Sequence, residues 1–193
     1  MHITKIMKYL TMFKHSGIFL ALDVVVAQSL AQLWRNWVVR DTPATLTTDM
    51  FSFSDNKVGR RLAELAVGFL RGEVSITRER DLWSYSVPTV LTHVLKLWCT
   101  TTDVQVMSLS TCDDLAVYGP EMFYPISFHN RQAYFKPADW DKWKEERIFT
   151  YHVWDYFTKY NLVTELSLYG KIAAEYCPNV FSSHRDQIVS YPA

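Results

Sequence analysis

An apolar run at residues 17–26, GIFLALDVVV, contains a single carboxylate, Asp23, and this run indicates the class of fold. Apolar residues on both faces of an extended segment are typical of a central strand in an α/β sheet. A carboxylate in such a strand needs a partner, because burying an unpaired charge costs free energy. Asp23 is therefore interpreted either as a ligand for a bound group, or as a carboxylate that caps the following turn or lies at the solvent-exposed end of the strand.

Two amphipathic helices are predicted from apolar residues that recur every three or four positions. The first lies within residues 3–13 and the second within residues 58–70. Glycine readily adopts the left-handed conformation that ends many helices. We therefore expect Gly17 to end the first helix and Gly72 to close the second.

Further elements are predicted on both sides of the second helix. Ser54 or Asp55 is expected to cap its first turn, because these side chains accept hydrogen bonds from helical N–H groups. Pro88 is expected to begin a third helix. The segments TDMFSFS, EMFYPISF and FTYHVWDYF are predicted strands. Helices and strands mixed in this way predict an α/β fold.

The composition is that of a globular domain, and the sequence argues against nucleic-acid binding and against a membrane-spanning helix. The chain has 193 residues, of which 49% are hydrophobic, and its formal net charge is zero. A neutral chain gives no electrostatic reason to expect nucleic-acid binding. Its longest apolar run is far shorter than the roughly 20 residues of a membrane-spanning helix, and no signal peptide is recognisable.

The chain contains three cysteines, Cys99, Cys112 and Cys177. A bridge between the first two would close a loop of about 14 residues and contribute about 3 kcal/mol in the chain-entropy model. The alternative is two unrelated buried thiols, and three cysteines alone do not decide between these interpretations. Their spacing does not fit a zinc site.

Six segments of the chain resemble, in the same order, segments of the α1,4-glycosyltransferase family. The first, MKYLTMFKHSGIFLALDVVV, is similar to the segment that contains the DxD motif of that family. The others are FSFSDNKVGRRLAEL, PTVLTHVLKLWC, FYPISF, YHVWDYF and LYGKIAAEYCP. Each match is weak by itself, but together they cover nearly the whole chain.

This resemblance implies a GT-A fold, a Rossmann-like α/β domain that binds a nucleotide-sugar through a divalent metal. One α1,4-glycosyltransferase-like domain over residues 1–193 is expected. Residues 1–80 would be the remainder of the DxD-containing region, and residues 81–193 the C-terminal conserved region. In relatives the first strands, the stem and a Golgi membrane anchor lie upstream. We therefore expect the C-terminal portion of a protein on the luminal side of the Golgi membrane.

The resemblance also implies a metal site. The family's Asp-x-Asp motif reads Ala21-Leu22-Asp23 here, so its second carboxylate is retained and its first is missing. Asp23 is expected to ligate Mn²⁺ or Mg²⁺, because a hard cation that neutralises a diphosphate prefers oxygen ligands. His152 is expected to supply an imidazole nitrogen to the same ion. The alternative for His152 is a core histidine whose hydrogen bonds are satisfied.

Other residues acquire expected roles through the same matches. Binding of donor or acceptor is implied for Glu64, Trp83, Thr92, Trp154 and Asp155. The alternative for Glu64 is a solvent-facing residue of a helix. The alternative for Trp83 and Trp154 is packing in the hydrophobic core, where aromatic side chains are more often found. Retaining GT-A enzymes often lack a clear nucleophile, so no catalytic residue is named.

The positions of cysteines in relatives also favour the pairing of Cys99 with Cys112, which would leave Cys177 unpaired. A disulfide fits an oxidising luminal compartment.

The implied activity is transfer of galactose, or N-acetylglucosamine, from a UDP-sugar to a galactose-terminated glycolipid or glycan, with retention of configuration. Four departures from the family pattern favour an alternative, a non-catalytic homologue that keeps the fold to bind a glycan or a partner. They are Lys5, Ala21, Ser84 and Val87. An α/β domain of unrelated function is the third hypothesis, and it would be favoured if Asp23 and His152 lay far apart.

Overall fold

The computed structural model describes residues 2–76 and 88–188. The chain divides into two compact units. The first comprises Met1–Ala21 and Ala31–Pro120, and the second comprises Leu22–Leu30 and Glu121–Ala193. Each unit mixes helices with strands, which agrees with the predicted α/β class.

In chain order the strands of the described residues are β1 (Gly17–Leu20), β2 (Val24–Val26), β3 (Trp37–Arg40), β4 (Leu46–Phe53), β5 (Ala116–Tyr118) and β6 (Thr150–His152). The α-helices are α1 (His2–His15), α2 (Lys57–Ile76), α3 (Pro88–Trp98), α4 (Asp155–Thr158), α5 (Leu168–Tyr176) and α6 (Pro178–Ser183). Short 3-10 helices occupy several of the connections.

The first unit is built on a four-stranded sheet with the order β1-β4-β3-β5. Strand β4 pairs antiparallel with β1 and β3, whereas β3 and β5 run parallel. Seven of the eight residues of β4 are buried, so the strand predicted in TDMFSFS is confirmed and lies in the middle of the sheet. The core of this unit joins β4 to α1, α2 and α3 through residues such as Tyr9, Phe51, Leu62 and Leu91.

The prediction of one central strand over residues 17–26 is wrong. The run is interrupted between β1 and β2, and β1 lies at an edge of the four-stranded sheet. Strand β2 instead pairs antiparallel with β6 in a separate two-stranded sheet, with Val24 opposite His152. The turn forms because the polar groups of Asp23 have their partners beside β6, while Leu22 in the turn is fully exposed to solvent.

Three helix boundaries of the first unit differ from the sequence prediction. Helix α2 continues through Gly72, which has no positive φ. Helix α1 ends at His15, and the left-handed residue that follows it is Ser16, with φ of 57°, whereas Gly17 comes one position later and begins β1. The first turn of α2 is capped by Asn56, whose Oδ1 accepts a hydrogen bond from the Gly59 N–H at 2.7 Å. Asp55 forms an ion pair with Arg60 instead of acting as the cap. Helix α3 begins at Pro88, as predicted.

The segment EMFYPISF is not a strand, contrary to prediction. It begins within the 3-10 helix Pro120–Met122, continues as turns and ends at the first residue of the 3-10 helix Phe128–Phe135. Its carbonyl groups find partners outside a sheet: Phe123 accepts from the Thr150 hydroxyl at 2.9 Å, and Ile126 accepts from the Trp154 indole N–H at 3.3 Å. The strand predicted in FTYHVWDYF is confirmed but is confined to β6.

The second unit has its own core around β6, α5 and the 3-10 helix Phe128–Phe135. The buried apolar residues of this core are Ile126, Tyr134, Ile148, Tyr151, Val153, Leu168 and Ile172. Helix α5 is capped by the Ser167 hydroxyl, which accepts a hydrogen bond from the Gly170 N–H at 3.1 Å. Within the described residues, no helix combines the length and the apolar character that a bilayer span requires.

Cys99 and Cys112 form a disulfide that links the end of α3 to the segment before β5. The Cα atoms lie 4.3 Å apart, and the cysteines are separated by 13 positions in the sequence. Cys177 is a free thiol in the second unit. Both bridged cysteines are buried, Cys99 being 5% and Cys112 0% exposed.

Breaking this disulfide is expected to destabilise the first unit by about 3 kcal/mol, because it restores chain entropy to the unfolded state. The test is urea denaturation of the Cys99→Ser/Cys112→Ser variant beside the unsubstituted chain. Cys177→Ser is the matched control and should leave the midpoint unchanged. Identical midpoints for the double variant and the unsubstituted chain would contradict this prediction.

Candidate functional site

Asp23 and His152 are 129 positions apart in the sequence and lie side by side in the second unit. The antiparallel pairing of β2 with β6 places Val24 opposite His152, so the residue before Val24 reaches the imidazole. Asp23 Oδ1 lies 3.5 Å from His152 Nε2. The His152 side chain is 4% exposed and that of Asp23 is 21% exposed, so the carboxylate forms the solvent-facing side of the pair.

The Asp23 carboxylate is held in place by the beginning of α4. Its Oδ2 accepts a hydrogen bond from the Asp155 backbone N–H at 3.1 Å, and its backbone carbonyl accepts from the Val153 N–H at 2.9 Å. An acidic side chain at a helix N-terminus is favoured by the free N–H groups there. Asp23 therefore caps the turn after β6 with one oxygen and directs the other toward His152.

The imidazole of His152 is oriented by the residues that follow β6. Its Nδ1 accepts a hydrogen bond from the Trp154 backbone N–H at 3.2 Å, which leaves Nε2 facing Asp23. A neutral imidazole that accepts at Nδ1 carries its hydrogen on Nε2, and this hydrogen is directed at the carboxylate. The neighbouring residue of β6, Tyr151, lies on the core side, where its hydroxyl donates to the Trp143 carbonyl at 2.7 Å. Burial raises the pKa of Tyr151 above its ordinary value, so it remains a neutral phenol.

Aromatic rings form one wall of this site. Trp154 has a left-handed backbone, with φ of 58°, and its ring centroid lies 4.2 Å from that of His152. Tyr124 lies 5.4 Å from His152 and 5.5 Å from Trp154, and Phe128 meets Trp154 edge-on at 5.6 Å. The guanidinium of Arg131 lies 4.2 Å from the Phe128 ring centroid. Sequence reasoning missed Tyr124, Phe128 and Arg131, although the matched segment FYPISF drew attention to this part of the chain.

The geometry of Asp23 and His152 fits two ligands of one divalent cation. Ligand distances of about 2.0–2.2 Å place neighbouring ligand atoms about 3 Å apart around an octahedral ion, close to the observed 3.5 Å. A carboxylate oxygen and an imidazole nitrogen are both ligands that Mn²⁺ accepts. Ligation by Nε2 would require the ring hydrogen to lie on Nδ1 and the Trp154 N–H to turn away from it. In the described part of the chain, no third His, Cys, Asp or Glu completes a metal-binding group.

The remaining predicted site residues lie in different places. Asp155 begins α4, with its side chain exposed and its backbone N–H bound to Asp23. Glu64 belongs to the first unit, where it is exposed on α2 and pairs with Arg61 at 2.6 Å. Trp83, like Ser84 and Val87, lies outside the described residues.

Thr92 also belongs to the first unit, where it has a structural role as a buried hydrogen-bond acceptor. It is 7% exposed, and its hydroxyl oxygen accepts a hydrogen bond from the Leu46 backbone N–H at 3.0 Å.

Thr92→Val is expected to destabilise the unit by about 1–3 kcal/mol, because a buried N–H group loses its acceptor. Thr92→Ser keeps the hydroxyl and is the control. Urea denaturation measures the difference, and equal stability of the two variants would contradict this account of Thr92.

Comparison with known proteins identifies sequence relatives. Residues 73–184, more than half of the chain, match the family described as the alpha 1,4-glycosyltransferase conserved region. The lactosylceramide 4-alpha-galactosyltransferase of Mus musculus is 30% identical over 109 residues, which are 54% of this chain and 29% of that protein. The lactosylceramide 4-alpha-galactosyltransferase of Homo sapiens is 27% identical over 175 residues, 86% of this chain and 46% of that protein.

A second kind of relative is the alpha-1,4-N-acetylglucosaminyltransferase of Homo sapiens. It is 22% identical over 148 residues, which are 76% of this chain and 40% of that protein. Thus the matched segments span between 29% and 46% of the length of these three relatives. No solved structure matches the chain significantly.

Proposed function

Because the chain belongs to the α1,4-glycosyltransferase family, we propose that it acts in the transfer of a hexose from a UDP-sugar to a glycan or glycolipid. The observation that carries this proposal is the juxtaposition of Asp23 and His152 at 3.5 Å. The family resemblance assigned these two residues to one ion. Asp23 precedes β2 and His152 ends β6, so the two residues are far apart in the sequence, yet their side chains lie side by side. A GT-A fold is part of the proposal and is supported by the mixed α/β architecture.

We propose that Asp23 and His152 would hold Mn²⁺. When bound, the ion would neutralise negative charge on the diphosphate leaving group. The chain itself orients both ligands: the Asp155 N–H fixes one carboxylate oxygen, and the paired strands fix the distance to the imidazole. The donor diphosphate and water would complete the coordination. Ala21, which replaces the first aspartate of the family motif, offers no side-chain acceptor for a donor ribose.

The sugar-binding part of the proposal rests on the aromatic wall beside this pair. The half-buried ring of Trp154 presents a planar apolar face next to His152, and such a face suits contact with the apolar face of a sugar ring. Tyr124, which is 7% exposed, packs against both rings and supports them. The exposed carboxylate of Asp155 is available to accept hydrogen bonds from sugar hydroxyls. Galactose or N-acetylglucosamine as donor sugar is supported by the names of the relatives, and so is a galactose-ended acceptor.

A Golgi-luminal location is also part of the proposal. Its support in this chain is the disulfide between Cys99 and Cys112, since such bridges persist in oxidising compartments. Membrane anchoring through an upstream segment is inferred from the family resemblance alone.

The proposed activity is tested with radiolabelled UDP-galactose and UDP-N-acetylglucosamine, a soluble lactoside acceptor and Mn²⁺. We expect a labelled trisaccharide with one of the two donors, and no product in EDTA. The absence of product with both donors, from chain that is folded by circular dichroism, would contradict activity in this chain.

A second candidate function is supported by Ala21: a non-catalytic homologue that binds a glycan or partner. The pair of Asp23 and His152 has no third acidic, His or Cys ligand among the described residues, as expected if the metal site has decayed. Ala21→Asp separates the two functions. An impaired transferase should gain activity when the missing carboxylate is restored, whereas a non-catalytic homologue should remain inactive.

A further inference from the structure

The surface next to the candidate site concentrates exposed aromatic side chains. Tyr156, Phe157 and Tyr160 are 71%, 54% and 88% exposed, and Leu162 is 72% exposed. We refer to these four residues and Lys159 as the aromatic patch. Contiguous apolar surface of this kind marks an interaction site, because single exposed apolar residues are common but clusters are not.

The backbone of the aromatic patch is held by hydrogen bonds and packing on its buried side. Between the exposed residues, Thr158 is buried, and its hydroxyl donates a hydrogen bond to the Val153 carbonyl at 2.8 Å. The first residue of α4, Asp155, is bound through its N–H to Asp23 at 3.1 Å. On the inner side, Phe157 also packs edge-on against Phe128 at 4.8 Å. These contacts fix the backbone of α4 and one edge of Phe157, while Tyr156 and Tyr160 remain exposed to solvent.

The chemistry of the aromatic patch is that of a membrane interface. The Lys159 ammonium lies 5.1 Å from the ring centroid of Tyr160 and 5.9 Å from that of Tyr156. Tyrosine and lysine both combine an apolar body with a polar tip, and both favour the level of the lipid headgroups, where one end is apolar and the other is hydrated. Leu162 adds an aliphatic side chain that would enter the boundary of the acyl chains.

We propose that the aromatic patch binds the headgroup region of a lipid bilayer and thereby holds the candidate site beside a glycolipid acceptor. This inference rests on the proposed function, because it supplies the reason for a membrane contact. A glycolipid such as lactosylceramide, which the names of several relatives contain, carries its sugars at the bilayer surface. The patch is continuous with the site, since Tyr156 directly follows Asp155, whose N–H binds Asp23. A bound bilayer would therefore lie next to the carboxylate.

Vesicle flotation without nucleotide tests the membrane contact independently of transfer activity. The probe is a vesicle of pure phosphatidylcholine, which has no net charge and so isolates the apolar and aromatic contribution. We expect the chain to float with these vesicles, and Tyr156→Ser/Tyr160→Ser to lower its partition coefficient roughly tenfold, because two rings no longer enter the interface. Val180→Ser is the control, since Val180 is 63% exposed on α6 outside the aromatic patch.

Three outcomes would overturn the proposal. The chain could fail to float, the double variant could float as well as the unsubstituted chain, or the patch could mediate a dimer that the double variant loses without any vesicle binding. Transfer assays add a separate comparison. The double variant should lose transfer to vesicle-embedded lactosylceramide while keeping transfer to a soluble lactoside. Vesicle binding without transfer to either acceptor would count against the proposed function and leave the membrane contact supported.

Discussion

Gly59→Ala is expected to destabilise the first unit by about 3 kcal/mol, because a β-carbon at this position has no space. An added Cβ would clash with the carbonyl oxygen of Ser54 and would lie 2.7 Å from its backbone nitrogen and 2.6 Å from Asn36 Oδ1. Two of these three atoms belong to the backbone, so no side-chain rotation relieves the contact. The first turn of α2 would have to move away from the end of β4. Urea denaturation monitored by circular dichroism gives the change in the free energy of unfolding.

The crowding around Gly59 arises from a hydrogen-bond network centred on buried Asn36. Asn36 is 0% exposed, and its Oδ1 accepts hydrogen bonds from the backbone N–H and the hydroxyl of Ser54, both at 2.9 Å. Its Nδ2 donates to Asn56 Oδ1 at 3.3 Å, which connects the network to the cap of α2. Moving the helix would therefore also break the hydrogen bonds of the buried Asn36 side chain.

Gly68→Ala is the matched control, since Gly68 lies in the same helix and a β-carbon there meets no atom within 4 Å. It is expected to stabilise the chain by about 0.5–1 kcal/mol, because alanine favours a helix interior over glycine. Similar effects for the two substitutions would show that the close packing of Gly59 against Ser54 has no energetic consequence, which would contradict this account.

Asp23→Asn is expected to lower the Mn²⁺-dependent affinity for UDP by at least about tenfold, because an amide oxygen is a much weaker metal ligand than a carboxylate. The substitution retains one oxygen that can accept the Asp155 N–H, so the turn between β6 and α4 should be preserved. Isothermal titration with UDP, in Mn²⁺ and in EDTA, measures the effect.

Asp139→Asn provides the comparison for this titration. Asp139 is an exposed carboxylate of the same unit that pairs with Lys142 at 3.4 Å, and its loss should leave UDP binding unchanged. If both aspartate substitutions weakened binding equally, a general loss of negative charge would explain the result better than a ligand role for Asp23.

Local patterns predicted the elements whose signals lie within a few residues. The start of α3 followed from Pro88, whereas the end of α1 was predicted one position late, because the left-handed residue after α1 is Ser16 and Gly17 begins β1. The cap of α2 was misassigned by one or two positions, because Ser54, Asp55 and Asn56 are all favourable capping residues and only tertiary contacts decide among them. Gly72 was misassigned for a similar reason, since a glycine in a helix does not reveal its φ.

The interrupted strand at residues 17–26 shows what local patterns cannot supply. Both halves of the run are apolar, so periodicity treats them as one strand. The interruption depends on the pairing of Val24 with His152, a long-range contact that no local sequence pattern predicts. The proximity of Asp23 to His152 was likewise accessible only through resemblance to a family, because the two residues share no local motif. Trp154 was predicted as part of the site, but Tyr124 and Phe128 were missed because the segment EMFYPISF, which was predicted as a strand, forms turns and ends of 3-10 helices.

Pulsed electron paramagnetic resonance of Mn²⁺ and UDP bound to the chain tests most directly whether Asp23 and His152 share an ion. Their 3.5 Å separation predicts a nuclear modulation from a directly coordinated imidazole ¹⁴N, which disappears in His152→Gln. A bound Mn²⁺–UDP complex that shows no nitrogen coupling would contradict the shared ion. The absence of any such complex would contradict the proposed donor site as a whole.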